Sequence, residues 1–530
     1  MNEGSGSAGD AGGPPTPADD GSGGGDADHH AEPGLDLILE EVESVVDPIA
    51  ESAALGPAVG IAVAGGPLVP LPPDEAAPGL VRSDNSVKAG LLQAGPVAIA
   101  GLVVNAAAAL LVIAVARLVS SRSYGEIAQL LGLFFILSMP GSAVLVGVVR
   151  RVTGFQATGQ SHLVRGWVSR VHRISLVAIG VELVLVLALQ GWIARWLGLP
   201  NGPGVVLILM AAGIWILLSV DRGLLQAHRS YRPLAGNLLV EGGIRTAFVL
   251  VLVVGGAGVA GYALGVFVSE VVATAHAHWL AHRAWADPST APVVRDVGSD
   301  RPVVDRPSGE ILARRKVLAD VSAAFVGLAL LGLLQNIDVI LLGRLDHAHV
   351  GPYAAISVAS KGLVFGALAL GAYLLPEATI RWNEGGHAIR QLGVTLLFLA
   401  VPAVVLLGIS IFVPRQFLTL VFSARLATAA SAFAPLVLAM MCLSFTVLVT
   451  NYLFGTGSRW IVFLLAAGSG LAVVLVTVAD GRPRATAWAD LVVQGLLAFG
   501  MGVAFLAIHL RHRGHHWLKR FGWQRVTPAS

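Results

Sequence analysis

The sequence predicts an all-α integral membrane protein of about twelve transmembrane helices, built as two parallel six-helix repeats around a central cavity. Three observations carry that expectation. The 530 residues are 55% hydrophobic and only 13% charged, with a mean hydropathy of +0.74. A water-soluble chain devotes about a quarter of its residues to charge, so this one lacks the means to cover a wetted surface. Apolar runs of spanning length recur along the chain, and short motifs return at one fixed offset.

Residues 1–89 read as a disordered cytoplasmic leader. Positions 1–33 are rich in Gly, Pro and Asp and lack a basic segment followed by an apolar core, so they carry no secretory signal pattern. Residues 35–53 have the pattern of a short acidic amphipathic helix. Residues 53–71 are apolar, but their prolines and glycines argue against a spanning helix. From residue 90 the spans follow in order: 95–117, 126–149, 174–193, 204–221, 236–256 and 259–281, forming a first half over 90–282. The fifth and sixth are separated only by the tight turn "GGAG" at 255–258. A polar, Pro-containing cytoplasmic linker is expected over 283–316. The second half, 317–510, holds spans at 317–343, 353–376, 392–413, 430–450, 460–479 and 487–510, followed by a basic cytoplasmic tail, 511–530.

Lys and Arg set the orientation. With the N-terminus inside, about 25 of the 35 basic residues fall on the cytoplasmic side and about 8 outside. The expectation is a multi-pass protein of the plasma membrane with both termini cytoplasmic. The near-zero net charge of +2 points to no nucleic-acid partner. The single cysteine, Cys442, excludes an intramolecular disulfide and most thiolate metal sites. No GxxxxGK[ST] loop occurs, so no nucleotide hydrolysis by that route and no cofactor is expected. His512, His515 and His516 sit in the basic tail, where anionic headgroups are better partners than a metal.

The halves echo each other. "ARLVSSRSYGEIAQLLG" from Ala116 and "GRLDHAHVGPYAAISVA" from Gly343 each place an Arg-Leu helix end, a short polar link and a Tyr beside a Gly before a new helix. Further on, Tyr231-Arg232 and Arg459-Trp460 occupy matching places after the fourth and tenth spans, at the same spacing. Six helices per repeat keep both in one membrane orientation, so a substrate site is expected between them near the midplane.

Ionisable groups at membrane depth are the site candidates. Arg245 lies mid-way along the fifth span with Glu241 one turn earlier, while Glu182 and Glu270 are central in the third and sixth. Asp338 stands in the outer third of the seventh span and Lys361 at similar depth in the eighth. In a functional reading Arg245 and Lys361 meet a phosphate or acidic sugar, and Glu182, Glu270 or Asp338 binds a coupling cation or proton. In a structural reading Glu241–Arg245 and Asp338–Lys361 are ion pairs that stitch helices together. Asn105, Gln335 and Asn336 join the candidate set, although such residues serve more often as interhelical hydrogen-bond glue.

Asn105 with "ARLVSSRSYG", then "LLQAHRSYRPLA", and above all "NIDVILLGRLDHAHVGPYAAISVASK" with "LLPEAT" give the chain a family likeness. Over residues 90–510 it resembles the polysaccharide-transporter branch of the multidrug/oligosaccharidyl-lipid/polysaccharide (MOP) flippase superfamily. The resemblance implies a flippase that moves a lipid-linked oligosaccharide, of the polyprenyl-phosphate type, from the inner to the outer leaflet by alternating access. It implies the bilayer and glycan polymerase or export machinery as partners. The long leader departs from the family pattern, whose chains start close to the first helix. A cation-coupled multidrug or small-molecule exporter of the same superfamily is the alternative. A membrane enzyme of glycan assembly ranks last, because the loops are too short to carry a catalytic domain.

Overall fold

Twelve long helices appear in a computed structural model of the chain, which describes residues 84–157, 161–199, 203–286, 307–383, 389–455 and 458–520. They are α1 (Asp84–Leu118), α2 (Ser121–Ala157), α3 (His162–Leu197), α4 (Pro203–Ala227), α5 (Tyr231–Val254) and α6 (Gly258–Ala286) in the first half. The second half holds α7 (Pro307–Leu345), α8 (Val350–Asn383), α9 (Ile389–Phe412), α10 (Phe433–Gly455), α11 (Ile461–Val478) and α12 (Pro483–Arg520). All twelve contain a segment long and apolar enough to cross a membrane, and no strand occurs among the described residues. Most of the expected leader, residues 1–83, lies outside the described residues.

Several boundaries differ from the sequence expectation, and all in the same direction. Helix α1 begins at Asp84, ahead of residue 90, and α7 begins at Pro307, inside the segment assigned to the linker. Helix α12 continues to Arg520, into the expected tail. Hydropathy marks where a helix leaves the bilayer, whereas its hydrogen-bond ladder continues wherever the residues are good helix formers. Glu310, Leu312, Ala313, Arg314, Arg315 and Lys316 are such residues. The expected link between the ninth and tenth spans is also structured, as a short helix Pro414–Val421 and a 3-10 segment Ala424–Ala432.

Turn chemistry matches the sequence at two places. The "GGAG" turn between α5 and α6 carries Gly256 at φ +87°, a left-handed conformation that L side chains rarely adopt. Helix α3 ends on Gly198 at φ +69°, and Leu199 donates its N–H back to the Ala194 carbonyl over 2.9 Å.

Each half is wired alike. In the first, α2 packs on α4, α4 on α6, α6 on α5, α5 on α1, and α3 on α4. In the second, α8 packs on α10, α10 on α12, α12 on α11, α11 on α7, and α9 on α10. Adding six to each helix number of the first set gives the second, so the repeat read from two short motifs is a repeat of packing. Burial follows it. Helices α3 and α9 are the peripheral members, with only 6% and 17% of their spans buried, against 67% and 72% for the central α4 and α10.

The halves meet at one end, where α1 passes to α2 and α7 to α8. Gln129 of α2 donates to the Ile340 carbonyl of α7 over 3.3 Å, and Arg425 to the Arg117 carbonyl over 2.8 Å. Arg117 in turn donates to the Val421 carbonyl over 3.3 Å. Phe135 and Phe365 place their rings 6.0 Å apart. A side chain at Gly332 would press on Ile136 and Met139, the deepest of these approaches. One apolar core runs through both halves at this end. The opposite end of the first half has its own core, including Val97, Val152, Val168, Leu224 and Leu238, drawn from first-half residues alone.

Gly351 allows the closest approach at the shared end, because a Cβ there would run into the backbone carbonyl of Ser121. Gly351→Val is therefore expected to wedge the halves apart and to destabilise the protein by about 1–3 kcal/mol. Thermal melting of the purified protein in detergent checks this, and an unchanged midpoint would contradict so tight a seam.

Candidate functional site

The ionisable residues expected at membrane depth form two separate networks, one in each half. In the first half, Glu241 on α5 receives two guanidinium groups: Arg222 from α4 at 2.5 Å and Arg245 from its own helix. Arg245 also reaches Glu270 on α6 at 2.5 Å, and its Nε donates to the Ser269 hydroxyl over 3.3 Å. Arg222 donates through Nε to Asn237 at 2.7 Å, and Asn237 donates to the Ala273 carbonyl at 2.8 Å. Glu241 and Glu270 are wholly buried. Two cations and two carboxylates thus neutralise one another where α4, α5 and α6 meet, and charge-assisted bonds fix the geometry.

The second network joins α7, α8 and α12. Lys361 lies 3.9 Å from Asp338 and donates to Asn336 Oδ1 over 3.1 Å. Tyr353 donates its hydroxyl to Asp338 over 3.0 Å. From α12, Gln494 donates to the Leu334 carbonyl at 3.2 Å and to Asp490 at 3.1 Å. Here two buried carboxylates, Asp338 and Asp490, share one nearby cation, and hydrogen-bonding capacity is left over. Asp338 Oδ1, Asp490 Oδ2, the Gln494 carbonyl and both polar atoms of Gln335 have no hydrogen-bond partner among the described residues. Such a set can take up water, a proton or a small cation.

The other candidates are placed less centrally. Asn105 is buried on α1. Glu182 is half-buried on the peripheral α3, its carboxylate against Gly213 of α4, with no ion-pair partner among the described residues. Arg245 and Lys361, pictured as facing cargo in a cavity, are only 3% and 6% exposed. Each is engaged by carboxylates of its own half.

Two members escaped the sequence reading. Arg222 sits just beyond the expected end of the fourth span, at 221, so it read as a loop residue; α4 in fact runs on to Ala227. Asp490 lies near the start of the last span. Its spacing of four residues to Gln494, two polar side chains on one face of an apolar helix, was the available signal.

The link of α7 to α8 is well defined. Asp346 accepts the backbone N–H of Ala348 at 2.9 Å and lies 2.6 Å from His349 Nδ1. Partial burial works to raise its carboxyl, but these bonds prevail and hold it below the usual range.

No family model matches the chain, and no curated protein matches it in sequence. Solved structures do match. A multidrug resistance MATE-family transporter of the MOP superfamily, in its inward-facing conformation, gives a TM-score of 0.53 at 16% identity, over 77% of this chain and 98% of that one. A MOP-superfamily transporter from Pyrococcus furiosus Vc1 (DSM3638), described as having a binding pocket of reverse polarity, gives 0.51 at 15%, over 78% and 92%. A MATE protein in complex with MaD5 gives 0.51 at 14%, over 91% and 98%. These three matched structures are of transporters, and the twelve helices of this chain, in two equivalent sets of six, share their fold.

Proposed function

We propose that the protein is a membrane transporter that flips a lipid-linked oligosaccharide from the inner to the outer leaflet by rocking its two halves. The observation that carries the reading is the pair of buried networks that hold cations as well as acids, Arg222 and Arg245 in one half and Lys361 in the other. Cations and acids are mixed in this interior, three cations with four buried carboxylates among the described residues, whereas a carrier of organic cations is served by acids alone. A MOP-fold transporter described as having reversed pocket polarity is a precedent for such a difference. Lys and Arg bias puts the closed end, where α1 meets α2 and α7 meets α8, outside. Within the same reading, both termini are cytoplasmic and the membrane is the plasma membrane.

One observation favours a second reading, export of small molecules: the likeness to a multidrug resistance transporter. Reconstitution separates the two. Proteoliposomes with a fluorescent polyprenyl-pyrophosphate oligosaccharide in both leaflets are treated with a membrane-impermeant quencher. Faster loss of the protected signal than in protein-free vesicles is expected. Absence of flipping, together with ion-driven efflux of a cationic dye from the same vesicles, would replace the flippase by the exporter.

A further inference from the structure

At the end of the first half away from the seam, three side chains from three helices converge outside both networks. His172 Nε2 on α3 lies 2.9 Å from Asp221 Oδ1 on α4, and His278 Nδ1 on α6 lies 3.5 Å from the same oxygen. The three ligand atoms all fall within 4.8 Å of one another. The two imidazoles meet edge to face, ring centres 5.3 Å apart.

The hydrogen bonds around His172 limit what can sit between these groups. Its Nδ1 faces the Val168 carbonyl at 3.1 Å, which only an N–H can satisfy. A neutral His172 therefore turns the lone pair of Nε2 towards a carboxylate oxygen, a repulsive contact unless a positive centre lies between them. A proton on Nε2 would relieve that single contact. It would still leave Asp221 Oδ2 buried with no hydrogen-bond partner among the described residues, and would need a second proton on His278 Nδ1 at the same oxygen. A metal ion takes both imidazole lone pairs and the carboxylate with no extra proton, and reaches Oδ2 as well when the carboxylate binds through both oxygens.

We propose that His172, Asp221 and His278 hold a divalent transition-metal ion of the Zn2+ class. Two imidazoles and a carboxylate are ordinary ligands for such an ion. Tetrahedral coordination at about 2.0–2.2 Å sets ligand atoms roughly 3.3–3.5 Å apart, which small side-chain shifts reach from the 2.9 Å and 3.5 Å to Asp221 Oδ1 and the limit of 4.8 Å for the set. The backbone carbonyl of Val168 supplies the outer hydrogen bond that metal-ligating histidines usually make through their second nitrogen. His278 has a side chain 56% exposed, which gives the ion a path in and leaves a coordination position for water. The site ties α3, α4 and α6 together at the end where the first half has its own core, and it is independent of the cargo that the protein carries.

The test uses the full chain purified in detergent without a polyhistidine tag, stripped with a chelator and dialysed against ZnCl2. About one retained Zn2+ per chain is expected by elemental analysis, and Co2+ in its place should give the visible absorption of a tetrahedral N/O site. His278→Ala removes an exposed ligand without touching the core and should weaken binding at least ~10-fold, with Asp221→Asn doing the same. Replacing His512, His515 and His516 together by alanine should remove only adventitious binding and leave the site loaded. Wild-type protein that retains no Zn2+, or retention that His278→Ala leaves unchanged, would overturn the proposal.

Discussion

Glu241→Ala is expected to be among the most damaging single substitutions in the first half, destabilising it by about 3–5 kcal/mol. Glu241 is bonded to both Arg222 and Arg245, and it is itself wholly buried. Removing it strands two guanidinium groups in an apolar interior and leaves Glu270 to balance both. Arg cannot escape by losing its proton, so the excess charge stays. The defect should appear as a collapse of the monodisperse fraction in size-exclusion chromatography and a large fall in the melting midpoint. Glu241→Gln keeps the shape and should fall between the alanine variant and wild type. Arg122→Ala breaks an ion pair whose arginine side chain is 64% exposed and should move stability by at most about 1 kcal/mol. Equal effects of Glu241→Ala and Arg122→Ala would mean that the first-half network is no structural centre.

The parts of this fold that could be read in the sequence are those with a physical period or a composition behind them. Apolar runs gave all twelve spans because the bilayer demands about 20 apolar residues of each. The repeat was legible through Tyr124 and Tyr353, both now seen buried at the starts of α2 and α8. The pairs Glu241–Arg245 and Asp338–Lys361 were nameable because the first lies one turn apart on one helix and the second at matched depth on neighbouring helices. Membership from more distant helices was not nameable. Nothing local in "SVDRGLL" says that Arg222 turns to Glu241 while Asp221 turns to His172, since consecutive helix positions point about 100° apart and only the neighbouring helices decide what each meets. Extensions beyond the bilayer, as in α7 and α12, escape a hydropathy reading for a related reason. Hydropathy detects the solvent around a helix, not the helix.

Lys361→Met is expected to abolish transport, and the second-half network makes the cause testable. Lys361 is the cation facing Asp338, with Asp490 close by on α12. Without it two carboxylates remain at a wholly buried site, which is unfavourable for both. If Lys361 acts only as counter-ion, neutralising Asp338 at the same time returns the network to its wild-type net charge, with Asp490 the acid left. The double variant Lys361→Met with Asp338→Asn should then regain stability, with the Tyr353 hydroxyl still bonded to the new amide. Transport decides the rest. We expect the double variant to melt near wild type yet to flip lipid-linked oligosaccharide at least ~10-fold more slowly, because the phosphate loses a fixed cation along its path. A double variant that transports normally would reduce Lys361 to a structural role and move the cargo-binding charge elsewhere. Loss of stability in the single variant alone, with stability and transport both recovered in the double, is the pattern of a structural ion pair. Recovered stability without transport is the pattern of a binding residue, and it would separate two roles that a single buried lysine otherwise merges.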